Sequence, residues 1–415
     1  MKAILVGKGG REHALAWSLR RSPACEALYV WPGSDALFEL ARPVPADSME
    51  ELVAFAASEK IDLVIAGEEK WLVEGDGLAA LCQREGVLCW GPPKESAQLE
   101  ASKVFAKEFL VRHGIPTADY LTVSDYEEGK KALERFPVVL KFDGLAAGKG
   151  VAVCGNPEEA EAFLEEVFLH KRFGEGQVLV EACLAGPEVS IFAAVSGGAY
   201  QIFSPARDYK RLGDGDEGPN TGGMGAVASL DLIEPSLLAE IENKIVQPTV
   251  AGLQADRLPY RGFLYFGVML TEEGPQVLEY NCRFGDPECQ AVMPLMEGDL
   301  AQYLLEATRG EIREELLRTQ SLWSVCLVAA SAGYPASSRS GDLIGGLGEL
   351  EGVEVFHAGT RSGEAGWETN GGRVLAVVAG SESRQEALER AHREMAKVRF
   401  DGKQVRSDIG RLHFD

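Results

Sequence analysis

Short apolar segments alternate with helix-like segments over residues 1–93, and this alternation constrains the fold more than any other feature of the sequence. Strand-like runs at 2–6, 27–31 and 63–66 are separated by helix-like runs at 12–20 and 49–58. Strands joined through helices form parallel βαβ units, because a crossover must return the chain to the same end of the sheet. The pattern predicts an open α/β sheet.

After residue 136 the pattern changes to strand pairs separated by short loops that contain glycine. Antiparallel hairpins are predicted for 137–142 with 151–154, 177–182 with 189–195, and 262–270 with 276–282. Short strands near 323–330, 353–358 and 373–379 precede an amphipathic helix at 382–398. The prediction is a multidomain α/β and α+β protein with domains at 1–101, 102–312 and 318–415.

The charge balance excludes several classes of partner. The chain has 41 Lys and Arg residues against 64 Asp and Glu residues, a net charge of −23. Proteins that bind nucleic-acid backbones or anionic lipid do so through clustered basic residues, so no nucleic acid and no membrane is expected as a partner. A nucleotide substrate stays open, because a few local cations and a metal can outweigh the global field.

The expected location is the cytoplasm. The N-terminal apolar run ends at Gly7, which is too early for a signal peptide, and no apolar stretch approaches the ~20 residues of a membrane span. The eight cysteines form no CxxC pair and lie within apolar runs such as WSVCLVAA. This usage favours buried thiols in a reducing compartment over disulfides or a zinc site.

Two glycine-rich turns are candidate phosphate sites. Gly7-Lys8-Gly9-Gly10-Arg11 follows a strand and opens a helix, where backbone N–H groups and the helix dipole favour an anion. Glu12 replaces the last glycine of the dinucleotide fingerprint, and the second strand ends in Trp31-Pro32 with no acid there to hold a ribose hydroxyl, which disfavours a nicotinamide-dependent oxidoreductase. The alternative is a plain strand-to-helix turn that binds nothing.

The second turn spans residues 144–150. Only three residues separate Gly144 from Gly148, and Gly150 rather than Ser or Thr follows the lysine, so this turn is not a P-loop. A strand follows it, which is typical of a glycine hairpin that covers phosphates, with Lys141 beneath. A plain flexible hairpin is the alternative.

The section from Asp208 to Gly225 is predicted to be the longest loop. Its many glycines favour a binding loop or lid over a disordered insertion.

Glu279 and Asn281 alternate along a strand, so they share one face at a separation of about 6.6 Å. A carboxylate and an amide oxygen so placed can ligate Mg²⁺, with nucleotide phosphates completing the octahedron. The alternative is a solvated strand face, which the adjacent Arg283 and Asp286 on an abrupt turn disfavour.

Four blocks in order, GKGGREHALA, LKFDGLAAGKGVAV, GPNTGGMGA and LEYNCRFGDPE, together with FHAGT and NGGRVLAVVA, closely resemble the phosphoribosylamine–glycine ligase family from about residue 2 to about residue 412. The resemblance implies an ATP-grasp fold with an N-terminal Rossmann-like domain and a small C-terminal α+β domain. It implies that ATP, glycine and 5-phosphoribosylamine are the substrates, that a glycyl phosphate forms, and that Mg²⁺ or Mn²⁺ is the cofactor. A monomer or weak homodimer is expected.

The resemblance also implies roles for individual residues. Metal ligands would be Glu279 and Asn281, and catalytic residues would be Arg283, Lys141 and Asp208. ATP would contact Lys103, Lys141, Gly144, Gly148, Lys149, Gly150, Glu181, Cys183, Leu184 and Glu188. The other substrates would contact Gly9, Gly10, Arg11, Asp208, Lys210, Asn220, Thr221, Gly222, Gly223, Arg283 and Asp286.

The chain departs from the family pattern at several of these places. Arg207 and Tyr209 stand where Gln and His are usual, Cys183 alters the hinge, and Gly67-Glu68-Glu69-Lys70 replaces a Gly-Pro-Glu-Ala run. An ATP-grasp ligase for another small carboxylate and a non-catalytic nucleotide-binding regulator are the remaining alternatives. Retained Glu279, Asn281 and Arg283 disfavour the regulator.

Overall fold

The structure is a computed structural model that describes residues 1–144 and 150–411. Its N-terminal part is a parallel sheet in the order β3-β2-β1-β4-β5, with helices on both faces. The strands are β1 (Lys2–Gly7), β2 (Ala27–Pro32), β3 (Arg42–Pro43), β4 (Leu63–Ala66) and β5 (Cys89–Trp90). The helices are α1 (Gly10–Arg21), α2 (Asp35–Phe38), α3 (Met49–Ser58), α4 (Lys70–Val73), α5 (Leu78–Arg84), α6 (Gln98–Ala101) and α7 (Lys103–Arg112).

The central strand of this sheet explains the sequence pattern. Ala3 to Val6 of β1 are fully buried, because β1 is flanked by β2 and β4 and covered on both faces. Strands covered in this way appear in a sequence as continuous apolar runs. The carboxyl end of β1 therefore delivers the first glycine turn to an edge of the sheet, where α1 begins.

A small antiparallel sheet in the order β6-β9-β7-β8 follows and has a core of its own, which includes Leu140, Phe142, Leu164 and Val180. Its elements are β6 (Tyr120–Val123), α8 (Tyr126–Ala132), β7 (Val138–Phe142), β8 (Val151–Cys154), α9 (Pro157–Leu164) and β9 (Val178–Ala182). The separate core makes this sheet a distinct lobe beside the rest of the molecule.

A larger sheet, in the order β17-β16-β10-β12-β15-β20-β24-β21, contains the rest of the central region and the C-terminal region. Its first strands are β10 (Glu188–Ser196), β11 (Ala199–Ile202), β12 (Ala206–Asp208), β15 (Gly225–Ala228), β16 (Arg261–Thr271) and β17 (Gly274–Asn281). Around them lie β13 (Arg211–Gly213), β14 (Glu217–Asn220), α10 (Pro235–Ile241), α11 (Gln247–Ala255), α12 (Glu288–Val292), β18 (Met296–Gly298), α13 (Leu300–Arg309) and β19 (Leu317–Thr319).

The C-terminal region comprises β20 (Trp323–Ala330), β21 (Glu354–His357), β22 (Thr360–Gly363), β23 (Gly366–Thr369), β24 (Arg373–Ser381) and α14 (Arg384–Met395). Strand β20 pairs with β15 in antiparallel register, so the large sheet runs without a break across the proposed boundary between 312 and 318. The multidomain α/β and α+β class predicted from the sequence is confirmed.

Two local predictions are wrong. Segments 177–182 and 189–195 do not form a hairpin, because β9 pairs with β7 in the small sheet and β10 pairs with β16 in the large one. The segment between them therefore carries the chain from one sheet to the other. The predicted long loop from Asp208 to Gly225 contains a two-stranded hairpin, β13 with β14, whose ladder hydrogen bonds order it.

None of the helices in the described residues has the length and apolar content that crossing a membrane demands. All eight cysteines are unpaired thiols, and all but Cys89 and Cys183 are buried.

Candidate active site

A cavity of about 490 Å³ lies where the N-terminal sheet, the small sheet and the large sheet meet. Many of the residues singled out in the sequence line it: Gly9, Arg11, Lys103, Lys141, Gly144, Gly150, Glu181, Asp208, Lys210, Gly222, Glu279, Asn281, Arg283 and Asp286. Gly148 and Lys149 lie outside the described residues. The structure thus gathers side chains from distant parts of the chain around one volume.

Three lysines and a glutamate form one wall of the cavity. Lys141 of β7 and Lys107 of α7 both place Nζ against Glu181 Oε2, at 3.0 and 3.1 Å. Lys103, one turn before Lys107 on α7, donates from Nζ to the Gly144 carbonyl at 2.8 Å. Burial lowers the pKa of Lys107 to about 8. Sequence reasoning missed Lys107, although its spacing of four residues from Lys103 on one helix indicates a shared face.

Only one of the two carboxylate oxygens of Glu181 has a hydrogen-bond partner among the described residues. Its Oε2 atom accepts both lysines, whereas Oε1 is buried with no hydrogen-bond partner among the described residues. An unpaired buried carboxylate oxygen is costly, and such atoms in native proteins usually have a ligand or water as partner. Glu181 also lines the cavity. Its free oxygen is therefore suited to a hydrogen-bond donor on a bound ligand.

Glu279 and Asn281 stand on β17, and both line the cavity. Opposite Glu279 in the ladder is Gly267, where an added Cβ would lie 3.2 Å from the Glu279 side chain, so the glycine leaves room for the carboxylate. Burial alone would raise the pKa of Glu279, but nearby cations outweigh it and hold the pKa below its usual value; these are Lys210, Lys141, Lys103 and Arg283. The carboxylate is thus kept ionised.

The fit of a divalent metal rests on this pair. Within the described residues no group of three or more His, Cys, Asp or Glu side chains is arranged to enclose a metal ion. An ionised carboxylate beside an amide oxygen, facing a cavity lined by lysines, instead suits a cation that arrives with anionic phosphates. Glu279 and Asn281 fit that role.

Arg283 is held by carboxylates of the N-terminal region. Its Nε lies 3.2 Å from Glu69 Oε2 and its Nη2 lies 2.8 Å from Glu100 Oε1. The two carboxylates differ: burial raises the pKa of Glu100 to about 7, whereas Arg283 and Arg11 overcome burial and lower the pKa of Glu69 to about 2. Glu100 carries no recognisable sequence signal, since it lies within the short helix α6 and belongs to no motif.

Asp286 lies between two arginines from opposite ends of the chain. Arg373 of β24 places Nη1 3.1 Å from Asp286 Oδ1, and it donates to the carbonyls of Asp286 and Gly222 at 2.6 Å. Although burial opposes it, the attraction of Arg373 and Arg11 keeps the pKa of Asp286 low. Arg373 lines the cavity and was missed, although it belongs to the block NGGRVLAVVA.

The first glycine turn already has carboxylates on its N–H groups. Gly9 N–H donates to Glu12 Oε2 at 2.7 Å, and Lys8 N–H donates to Glu68 Oε1 at 3.1 Å. Arg11 Nε lies 2.6 Å from Glu12 Oε1, and Arg11 Nη1 donates to the Phe284 carbonyl at 3.2 Å. Gly10 is the first residue of α1 and is not a lining residue of the cavity.

Lys210 links several of the remaining predicted residues. Its Nζ pairs with Glu188 at the start of β10 and lies 4.0 Å from Asp208 Oδ2. Burial opposes protonation of Lys210, but Asp208 and Glu188 raise its pKa well above the usual value. Thr221 Oγ1 donates to the Lys210 carbonyl at 2.8 Å and accepts from Gly223 N–H at 3.0 Å, which shapes the loop.

Four other predicted residues are not lining residues of the cavity. Cys183 and Leu184 belong to the segment that passes between the two sheets, Asn220 ends the exposed strand β14, and Gly223 has a positive φ of 112°. A Cβ on Gly223 would lie 2.4 Å from Pro287 Cδ, so only glycine allows this approach to the turn after Phe284.

Comparison with known proteins explains why these features occur together. The phosphoribosylglycinamide synthetase N domain matches residues 1–100, its ATP-grasp (A) domain matches residues 101–289, and its C domain matches residues 324–412. The chain belongs to the phosphoribosylglycinamide synthetase family. Family membership confirms the resemblance seen in the sequence and the ATP-grasp fold that it implies.

Relatives in the phosphoribosylglycinamide synthetase family align along the whole chain. A phosphoribosylamine–glycine ligase from Chlorobaculum tepidum is 42% identical over 423 residues, covering 99% of each chain. The trifunctional purine biosynthetic protein adenosine-3 of Gallus gallus is 42% identical over an alignment of 427 positions, which covers 99% of this chain and 42% of that protein. The family sequence therefore occurs both alone and as part of a larger polypeptide.

Solved structures resemble this chain along nearly its whole length. The crystal structure of phosphoribosylamine–glycine ligase from Thermotoga maritima has 34% identity and a TM-score of 0.85, covering 99% of this chain and 100% of that one. The biotin carboxylase domain of the Hydrogenobacter thermophilus 2-oxoglutarate carboxylase has 18% identity and a TM-score of 0.72, covering 97% and 91%. This second likeness concerns the fold alone.

Proposed function

We propose that this chain is an ATP-dependent ligase that joins glycine to 5-phosphoribosylamine through glycyl phosphate, giving glycinamide ribonucleotide, ADP and phosphate in purine biosynthesis. The observation that carries the proposal is the single cavity, which combines a lysine wall, an ionised carboxylate beside an amide, and a glycine turn with an arginine. These three groups suit a nucleoside triphosphate, its metal and a second phosphate-bearing substrate.

The chemistry requires activation of a carboxylate. A glycine carboxylate does not react with an amine near neutral pH, so one of its oxygens first attacks the γ-phosphorus of ATP, with ADP as leaving group. The amine of phosphoribosylamine then attacks the acyl carbon and expels phosphate, with loss of a proton from nitrogen. Phosphoryl transfer needs positioning and charge neutralisation more than covalent participation by the protein.

The residues of the lysine wall would serve ATP. Lys141 and Lys103 would neutralise phosphate charge, and Gly144 and Gly150 would lie over the phosphates; the assignment of Gly148 and Lys149 to ATP rests on the sequence motif alone. The unpaired Oε1 of Glu181 accepts a donor on the base, and the connecting segment with Cys183 and Leu184 meets the edge of the base. Glu188 takes the ribose hydroxyls once Lys210 releases it.

Divalent metal use is typical of ATP-grasp ligases, and the biotin carboxylase neighbour was solved with magnesium ADP. Here Glu279 and Asn281 would hold the ion, Mg²⁺ or Mn²⁺, which neutralises phosphate charge when bound. Arg283 is positioned by Glu69, by Glu100 and by the Phe284 carbonyl, which accepts from Nη1 at 3.1 Å, so the guanidinium N–H groups left over would serve the acyl phosphate. Asp208 and Lys210 lie beside the loop that contains Asn220, Thr221, Gly222 and Gly223, and we assign these residues to glycine.

The phosphate of phosphoribosylamine would lie at Gly9, Gly10 and Arg11, with Asp286 nearby. This phosphate takes no part in the reaction, and its binding energy orients the amine. We place the reaction in the cytoplasm, which the eight unpaired cysteines favour, and we propose a monomer or weak homodimer.

Release of ADP tests the proposal. Purified protein is incubated with ATP, Mg²⁺, glycine and phosphoribosylamine, and each component is omitted in turn. Release that needs all four components supports the ligase, and Mn²⁺ in place of Mg²⁺ gives the metal preference. Release with another small carboxylate but not glycine indicates a different ATP-grasp ligase, and ATP binding without any release indicates a nucleotide-binding regulator.

A further inference from the structure

Two backbone donors at the first glycine turn are already occupied by carboxylates. Gly9 N–H donates to Glu12 Oε2 at 2.7 Å, and Lys8 N–H donates to Glu68 Oε1 at 3.1 Å. Both donors belong to the turn that the proposed function assigns to the phosphate of the sugar substrate. A phosphate oxygen and a carboxylate oxygen compete for the same kind of site, because each is an anionic acceptor.

Glu12 is a permanent part of this turn. Its side chain is 1% exposed and pairs with Arg11 at 2.6 Å. It packs beneath Gly7 and Gly67, where added Cβ atoms would lie 2.4 and 2.7 Å from Glu12 Cγ. Displacing Glu12 would break a buried ion pair and the packing against two glycines, so the carboxylate of Glu12 stays when a ligand binds.

Glu68 is held far less firmly. It follows β4, it is half-buried, and it lines the cavity. Arg11, at the end of this turn, pairs with Glu12 and reaches Glu69 at 3.9 Å, and it forms no ion pair with Glu68 among the described residues. Burial and the neighbouring charge of Glu12 raise the pKa of Glu68, with Glu69 adding to the rise and Arg11 and the Lys8 N–H opposing it. The ionised carboxylate therefore sits in unfavourable surroundings.

We propose that Glu68 occupies the place of a phosphate oxygen in the ligand-free protein and is displaced when the phosphorylated sugar binds. The inference rests on the proposed function. The displaced carboxylate stays near the cavity, where it repels the incoming phosphate. Glu68 is thus a residue that weakens sugar-phosphate affinity and favours release of the phosphorylated product.

The test compares two isosteric substitutions that each remove one negative charge. Glu68→Gln removes the charge at the turn. Glu74→Gln removes a charge from the exposed end of α4, where Glu74 Oε2 lies 3.3 Å from Lys70 Nζ; Glu74 is not a lining residue of the cavity. Calorimetry with ribose 5-phosphate is the direct probe, and initial rates give the KM for phosphoribosylamine. Glu68→Gln should bind ribose 5-phosphate about tenfold more tightly, with a matching fall in this KM.

The KM for ATP should be the same in wild type, Glu68→Gln and Glu74→Gln, because ATP lies at the lysine wall. A second variant, Glu68→Ala, removes the acceptor as well as the charge and should also bind ribose 5-phosphate more tightly; melting temperatures verify that each variant is folded. Weaker binding in both Glu68 variants would overturn the proposal and make Glu68 a ligand of the sugar. Unchanged binding would also overturn it. A wild-type protein that releases no ADP with all substrates present contradicts the proposed function instead.

Discussion

The substitution Glu279→Gln removes one charge from the cavity while keeping the shape of the side chain. In the wild type, Lys210, Lys141, Lys103 and Arg283 together hold the Glu279 carboxylate in its ionised form although the side chain is partly buried. The variant leaves that cationic excess uncompensated, at the place where the metal would bind. One pair of unit charges at ~4 Å in a medium of effective dielectric ~20 interacts by about 4 kcal/mol, which corresponds to about a thousandfold in rate or affinity.

The assay is the dependence of ADP release on Mg²⁺ concentration. We expect Glu279→Gln to need far more Mg²⁺ for half-maximal activity and to lose about a thousandfold in kcat/KM at low Mg²⁺. Glu273→Gln is the matched control, since Glu273 lies in the exposed turn of the same hairpin between β16 and β17. A second readout is thermal stability. MgATP should raise the melting temperature of the wild type more than ATP alone does, whereas MgATP and ATP alone should raise the melting temperature of Glu279→Gln equally.

The reasoning would be refuted by a folded Glu279→Gln variant with the wild-type response to Mg²⁺ in both assays. Such a result would mean that the carboxylate only balances the lysines. Equal losses in Glu273→Gln and Glu279→Gln would show that the effect arises from the net charge of the protein rather than from the cavity.

Three further predictions concern residues around the cavity. Gly10→Val places a Cβ 2.7 Å from Gln290 Nε2, so the KM for phosphoribosylamine should rise sharply while the KM for ATP stays unchanged; an equal rise in both would assign the turn to domain packing. Glu100 has a pKa of about 7 in the fold against 4.5 as a free side chain, so it binds its proton more tightly in the folded state. Its contribution to stability is therefore present below pH 4.5 and is lost as the pH rises through 7, and the melting temperature of Glu100→Gln relative to wild type should increase between pH 5 and pH 8; a constant difference would contradict this. Arg373→Met removes the Nη1 donor that the Gly222 and Asp286 carbonyls both accept, so the KM for glycine and for phosphoribosylamine should rise in initial-rate assays, whereas a change confined to ATP would contradict the assignment.

Local patterns were sufficient wherever the pairing partner is the next segment of the chain. The hairpin predicted at 262–270 and 276–282 is observed as Arg261–Thr271 and Gly274–Asn281, and the predicted pair 137–142 and 151–154 is also an antiparallel pair. In both hairpins the two strands and the connection between them are adjacent in sequence. The family motifs were equally local, which is why the ATP-grasp fold and the family could be inferred from the residues.

The same type of pattern failed at 177–182 and 189–195, because the partners there are distant. Leu270 N–H donates to the Pro187 carbonyl at 2.9 Å, and a Cβ on Gly186 would lie 2.1 Å from the Leu270 carbonyl oxygen. The segment between the two strands is thus held against the end of β16. A glycine-containing connection permits either a hairpin or a passage between sheets, and only the docking of the sheets decides which one forms.

The residue types of the candidate site were determined by the sequence, but their pairing was decided by tertiary structure. Glu279, Asn281 and Arg283 were recognisable from a strand and the turn after it, whereas the contacts of Glu181 with Lys107 and of Glu68 with Lys8 N–H were not. Alternation along a strand specifies which side chains share a face, because side-chain direction is a local property of the backbone. The burial of a site residue and the charges around it depend on which segments lie opposite it. These segments come together only when the three sheets have closed around the cavity.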